Sequence, residues 1–292
     1  MAVLVTAVLA LPHPREHDLL IGVYQPNSPG SYNQITAFSR DVGLDPRLTS
    51  YYSTFQQPFA TSFAAQAATC GTSVLVQWQP RGTTNAAVAS GANDTYVKTF
   101  AQAVKSVNRQ VVISYGQEMN GNWYDWGQTS DVAYYVAAWR HLHDVFQQQG
   151  VHNVTWLWDP NVIYPGSTPL SHLYPGDSYV DWVGLDGYFS RPTDTFESLF
   201  GSSIVALRQV TAKPLLIAES GVTGTAGALQ LQSLFAGASL AGALGVVYFD
   251  QAQSGDSEHQ EWRLEDSPVN LAAFAAVVQQ YGDRPLTWPG SS

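Results

Sequence analysis

The chain has 292 residues, a length that one α/β barrel with one large hydrophobic core can account for. Its 13 Lys and Arg against 23 Asp and Glu give a net charge of −10, which leaves no basic surface to neutralise phosphates and argues against nucleic acid as a partner. Charged residues make up only 12% and aromatic ones another 12%, with nine Trp, a usage common to ordinary cores and to clefts that hold sugars.

Residues 1–12 form an apolar run too short to span a membrane. The run looks like part of a signal segment, yet no positive charge precedes it and no small-x-small cleavage site follows. Residues 1–18 are assigned as a residual leader or linker, with a secreted, extracellular protein as the expectation, and residues 19–292 as one barrel domain. Cys70 is the only cysteine, so an intrachain disulfide is impossible, and it is expected to be a small buried hydrophobe near a helix end.

From Leu19 onward strands and helices alternate. Short apolar, β-branched runs at 19–24, 48–53, 74–78, 111–115, 154–158, 180–185, 215–218 and 244–249 suit strands buried on both faces. Helical spacing fits 32–42, 59–69, 94–107, 131–149, 196–210, 226–240 and 268–281. In 94–107, for example, Val97, Phe100, Ala101, Val104 and Val107 share one face, and Asp131 is placed to cap the helix that follows it. Residues 160–179 contain Pro165, Gly166, Pro169 and Pro175 without a helical pattern, which predicts a long loop across the face that carries the site. Eight strands with helices between them, and no linker or repeat, predict a single (β/α)8 barrel, an α/β fold.

In such barrels active sites lie at the C-terminal strand ends. Those ends read Tyr24-Gln25, Trp78-Gln79, Gln117-Glu118, Trp158-Asp159, Asp186-Gly187-Tyr188, Glu219-Ser220 and Tyr248-Phe249-Asp250. Aromatic, amide and acidic groups thus gather at one rim. The densest stretch surrounds Glu118, with Gln117, Asn120 and Asn122, Gly116 and Gly121, and Tyr115, Trp123, Tyr124 and Trp126. Aromatic faces stack on the C–H-rich faces of sugars and amides bond their hydroxyls. A carboxyl among rings has its pKa raised by burial and can serve as a general acid near neutral pH. The competing reading is an aromatic-rich loop in which Glu118 only bonds backbone amides. Glu219 ends the apolar run 214–218, with a helix-capping acid as its competing reading, and its spacing from Glu118 corresponds to three βα units of roughly 30 to 35 residues. The rings of Trp123, Trp78, Tyr248 and Tyr24 are expected to line the cleft.

Five stretches form a pattern together: Gln-Glu-Met-Asn-Gly-Asn-Trp (117–123), Trp-Leu-Trp-Asp-Pro-Asn (156–161), Tyr-Pro-Gly-Asp-Ser-Tyr-Val-Asp-Trp-Val-Gly-Leu-Asp-Gly-Tyr (174–188), Ile-Ala-Glu-Ser-Gly (217–221), and Tyr-Phe-Asp (248–250) followed by Trp262-Arg263-Leu264. The chain resembles glycoside hydrolase family 26 in these residues, a group of retaining (β/α)8 glycosidases with the acid/base after strand four and the nucleophile after strand seven. The resemblance implies Glu118 as acid/base, Glu219 as nucleophile, and Asp186 and Tyr188 as the pair that supports the nucleophile and the bound sugar ring. Glu118 would then hold the proton while Glu219 is ionised.

Gln117 is a departure, because mannanases of the family usually carry histidine there, in contact with the subsite next to the cleaved bond. An amide can still donate to a 2-hydroxyl. The resemblance implies endo-β-1,4-mannanase activity by double displacement, with β-1,3-1,4-glucanase or xylanase as alternatives and a non-catalytic carbohydrate-binding barrel as the reading from another class. It implies no cofactor and no metal, and the seven histidines show no two-ligand helical spacing. A polysaccharide or oligosaccharide is the expected partner, with neither nucleic acid nor a stable membrane span, and a monomer is expected.

Overall fold

The computed structural model describes residues 19–107, 109–127, 130–251, 261–282, 284–285 and 288. The leader or linker expected at residues 1–18 lies outside them. Eight strands, β1 (Leu20–Tyr24), β2 (Leu48–Thr54), β3 (Ser73–Gln79), β4 (Val111–Tyr115), β5 (Val154–Trp158), β6 (Trp182–Asp186), β7 (Leu215–Ser220) and β8 (Gly245–Phe249), close into a parallel barrel in sequence order. The single (β/α)8 barrel read from the sequence is the fold, and the strands differ from the expected runs only at their ends.

Period-2 alternation divides the side chains of this barrel into two cores. Leu20, Leu48, Leu75, Val112, Leu157, Trp182, Leu216, Ala218 and Val247 point inward and fill the barrel near the strand starts. Their neighbours Ile21, Val74, Val76, Val111, Ile113, Val183, Ile217 and Val246 point outward and pack beneath the helices. Each fully buried aliphatic side chain contributes roughly 1.5–3 kcal/mol.

The helices are α1 (Asn33–Val42), α2 (Thr61–Thr69), α3 (Asn85–Ala89), α4 (Asp94–Ser106), α5 (Tyr135–Gln148), α6 (Leu170–Leu173), α7 (Ser202–Arg208), α8 (Gly227–Leu240) and α9 (Pro268–Tyr281). Helix α4 buries Val97, Phe100, Ala101 and Val104, and places Asp94 in its first turn and Lys105 in its last, where the helix dipole favours each charge. Helix α1 stops at Gly43, whose left-handed backbone (φ 74°) lets its N–H reach the Ser39 carbonyl.

Three expectations change. Asp131 does not cap its own helix: it lies in a 3-10 turn, Ser130–Tyr134, and its carboxylate accepts from the backbone N–H groups of Asn85 (2.7 Å) and Ala86 (3.1 Å), capping α3 instead. Helix α3 itself is too short to produce a period in sequence. The stretch 160–179 is not all loop, because Leu170 and Leu173 turn inward on the single turn of α6. Cys70 is exposed rather than buried, since it is the C-terminal cap of α2 and stands off the apolar face formed by Phe63, Ala64 and Ala67.

Candidate active site

Above the aliphatic layer the inward positions turn polar within one step of the alternation. Gln77 follows Leu75 by two residues, Ser114 follows Val112 and Asp159 follows Leu157, and all three are buried. Glu118, Asp186 and Glu219 lie above them. Beyond β4 the chain turns through left-handed residues at Gly116 (φ 57°) and Glu118 (φ 54°). A side chain at Gly116 would press on Trp126 and Tyr135 at 3.2 Å. A non-glycine residue in this conformation costs of order 1–3 kcal/mol, and it is held by Glu118 N–H donating to the Asp159 carbonyl (2.7 Å) and Gly121 N–H to the Glu118 carbonyl (2.9 Å). On the other side, irregular register between β6, β7 and β8 occurs where Glu219 leaves the regular ladder.

The two glutamates accept different donors. Glu118 Oε1 takes the Asn161 Nδ2–H (2.5 Å) and Oε2 the Trp123 Nε1–H (2.6 Å). Glu219 Oε2 takes the Tyr188 hydroxyl (2.7 Å), and Oε1 takes both the Tyr52 hydroxyl and Gln77 Nε2–H (3.2 Å). Only 7% of Glu118 and 5% of Glu219 is exposed. Burial pushes both carboxyls up, Glu219 to about 8 with the charge of Glu118 as the second cause. Burial therefore does not give Glu118 the higher pKa and Glu219 the ionised form expected from the sequence, but raises both. What distinguishes them is the donor set: three donors, two of them phenols, favour the ionised form at Glu219, against two at Glu118.

Of the residues singled out in the sequence, Glu118, Glu219, Asp186, Tyr188 and Gln117 meet at this end of the barrel. Gln117 is buried beside the Tyr124 phenol, and its backbone carbonyl accepts from Trp126 Nε1–H (2.8 Å). Tyr24 faces inward, stacked on Phe249 (4.7 Å, 8°) and edge-on to Tyr52 (5.3 Å). Trp123 is 46% exposed and tilts against Tyr164 (5.6 Å), so its ring is open to a ligand.

Trp78 and Tyr248 are corrections. Trp78 is 0% exposed, sandwiched between Phe55 (4.8 Å) and Phe100 (4.3 Å), and Tyr248 is 0% exposed against Phe274 (5.0 Å) with its hydroxyl on the Trp262 carbonyl. Both occupy outward positions of their strands, beneath the helices, so neither can line the cleft. Sequence reasoning chose them for standing at strand ends and ignored parity. The same parity, counted from Leu75 and Leu48, would have found the inward Gln77 and Tyr52, which it missed, as it missed Asn161.

The site is a buried polar cluster at the strand ends with two hydrogen-bonded carboxyls, an exposed indole on one of them and phenols on the other. It can move a proton at Glu118 and present a carboxylate oxygen at Glu219. Among the described residues no group of three or more His, Cys, Asp or Glu side chains could hold a metal ion, and no helix is long and apolar enough to cross a membrane.

Comparison with known proteins gives a consistent neighbourhood. The family model for glycosyl hydrolase family 26 matches residues 65–234. Endoglucanase H of Acetivibrio thermocellus is 29% identical over 226 residues, 71% of this chain and 24% of that protein. A mannan endo-1,4-beta-mannosidase of Bacillus subtilis is 30% identical over 118 residues, 38% of this chain and 30% of its own length. A beta-1,3-xylanase of Alcaligenes sp. is 29% identical over 135 residues, 46% of this chain and 27% of its own length. The chain thus spans under a third of each of these relatives. Among solved structures, the Bacillus subtilis mannanase BCman superposes with TM-score 0.65 at 18% identity, covering 96% of this chain and 90% of that one. A Cellulomonas fimi endo-beta-1,4-mannanase double mutant gives 0.67 at 18% identity, covering 90% and 71%. At such identities these two superpositions speak for the fold.

Proposed function

The chain belongs to glycosyl hydrolase family 26, and from that premise we propose that it cleaves a β-linked polysaccharide with retention of configuration. Glu219 attacks the anomeric carbon while Glu118 gives its proton to the leaving oxygen; the glycosyl–enzyme ester is then hydrolysed by a water that Glu118 deprotonates. The observation that carries this reading is the pair of buried carboxyls with unlike donors: the phenols of Tyr52 and Tyr188 donate to Glu219, and the Trp123 indole and Asn161 amide orient Glu118. Tyr24 and Tyr188 would bound the sugar at the cleaved bond, and Trp123 would stack on the sugar of the leaving group.

The finer reading is endo-β-1,4-mannanase, supported by the named mannosidases among the relatives. A second reading, a gluco-configured β-glycan, has its own support: Gln117 stands where the family's mannanases carry histidine, and the alignment with endoglucanase H covers 71% of the chain. Release of reducing sugar from mannan, glucomannan, lichenan and xylan, with the anomer of the first product followed by NMR, tests both levels. Retained β-product from mannan, raised further by Gln117→His, is the expected outcome. Cleavage of lichenan or xylan alone would replace the mannanase reading while leaving the retaining one, and an α-anomer would overturn retention itself.

A further inference from the structure

Two carboxyls suffice for double displacement, yet four are buried together. Asp159 and Asp186 are the surplus. Asp159 stands on the inward face just beyond β5 and is fully buried. It fits because residue 184 on β6 is glycine: a Cβ there would collide with Asp159 Oδ1. Its Oδ2 accepts from Gln77 Nε2 (2.9 Å), and the same nitrogen reaches Glu219 Oε1 (3.2 Å). Its backbone carbonyl holds the Glu118 N–H (2.7 Å). A primary amide nitrogen has two hydrogens, one for each carboxylate. Asp159, an acceptor, therefore fixes which end of the Gln77 amide faces Glu219. Without it the amide can turn over and set its oxygen against the Glu219 oxygen.

A second observation concerns the proton. Asp159 Oδ1 and both oxygens of Asp186 find no donor among the described residues, though all are buried. Buried acceptors are rarely left so, and two adjacent carboxyls satisfy each other by sharing one proton. We propose that Asp159 is a positioning residue of this enzyme, accepting a proton-bearing hydrogen bond from Asp186 on one oxygen and locking Gln77 onto Glu219 with the other. This rests on Glu219 being the nucleophile. The direction of the shared bond agrees with the environment: burial raises both groups, and the bond between them lowers Asp159 and raises Asp186 further, so Asp186 keeps the proton and donates. The titratable groups facing the pair are Glu118 and the phenol of Tyr124 from the segment after β4, Glu219 from β7, the phenol of Tyr188 from the segment after β6, and the phenol of Tyr135 from α5.

The test uses Asp159→Ala, Asp159→Asn, Gln77→Ala and the Asp159→Ala/Gln77→Ala pair in the whole chain, with kcat, KM and the pH–rate profile measured on the glycan that the wild type cleaves. Asp159→Ala should lower kcat about a hundredfold, as a misplaced reacting group does, with KM within about twofold. The double variant should be no slower than the slower single one, because both act through one bond. Asp159→Asn keeps an acceptor for Gln77 and should restore most of kcat, while moving the acidic limb to lower pH because a charge that raises Glu219 is gone. Multiplying losses in the double variant, or a wild-type kcat and acidic limb in Asp159→Ala, would overturn the proposal. If Asp159→Ala does not fold, Asp159→Asn and Gln77→Ala decide by the same criteria. Infrared difference spectra separate this proposal from the reaction: a protonated carboxyl band lost in Asp186→Asn should shift in Asp159→Asn even if no glycan is cleaved. A band unmoved by Asp159→Asn refutes the shared proton; a glycan-inactive wild type refutes the functional reading instead.

Discussion

The lower and upper halves of the barrel interior lie on the same strands, often only two residues apart, and obey opposite rules. In the lower half Leu20, Leu48, Leu75, Val112, Leu157, Leu216 and Val247 exclude water and have no group left to satisfy. In the upper half Gln77, Asp159, Asp186, Glu118 and Glu219 are as deeply buried, but each carboxyl repels the others and is raised by burial. The lower layer supplies stability that the upper one gives up, and the upper layer can do chemistry because the lower one holds the strands that aim it.

Removing carboxyls should break this contrast most sharply. Glu219→Ala should lower kcat by roughly 10⁴ or more, and Glu118→Gln by roughly 10²–10⁴, while both variants melt above the wild type because one of the mutually repelling groups is gone. Steady-state rates with calorimetry on the same samples check this; a drop in melting temperature together with retained activity would mean that the carboxyls serve the fold instead.

Moving outward, Trp78→Ala should cost about 3–5 kcal/mol of stability with kcat/KM of the folded fraction unchanged, because the ring sits beneath the helices. Denaturant unfolding measures the first, active-site-normalised kinetics the second. Trp123→Ala is the opposite case: its half-exposed ring should leave unfolding nearly untouched and raise KM roughly tenfold, the equivalent of about 1–2 kcal/mol. Its bond to Glu118 Oε2 adds a shift in the basic limb of the pH–rate profile. Equal melting losses in the two tryptophan variants would erase the distinction between outward and cleft positions.

Acidity gives the smallest effect. Asp159 is raised to about 7 and Glu219 and Asp250 to about 8, well above the ordinary carboxylate range near 4. Each binds its proton more tightly folded than unfolded, so its stabilising contribution is full below about pH 4 and is lost as pH rises through 7 to 8. The melting temperature should therefore fall between about pH 5 and pH 8 by roughly 2–4 °C, the equivalent of about 1–2 kcal/mol. Calorimetry of wild type beside Glu219→Gln checks it, the variant showing the shallower fall.

The eight strands, most of the helices and the stretches around Glu118 and Glu219 were legible in the sequence, because strand runs and amphipathic spacing are local and the motif 117–123 is contiguous. What tertiary structure alone decided is which strand-end residues face the cleft and who bonds whom. Trp78 and Tyr248 look like sugar platforms until the barrel closes and alternation sends them outward, while Tyr52, Gln77 and Asn161 look ordinary until closure sets them against carboxyls from distant strands. Asp131 signals a cap in sequence, yet it caps a helix that its own segment does not contain. A pattern along one chain segment fixes a period; the phase of that period against seven other strands, and the pKa of a buried acid, depend on partners that only the closed barrel brings within reach.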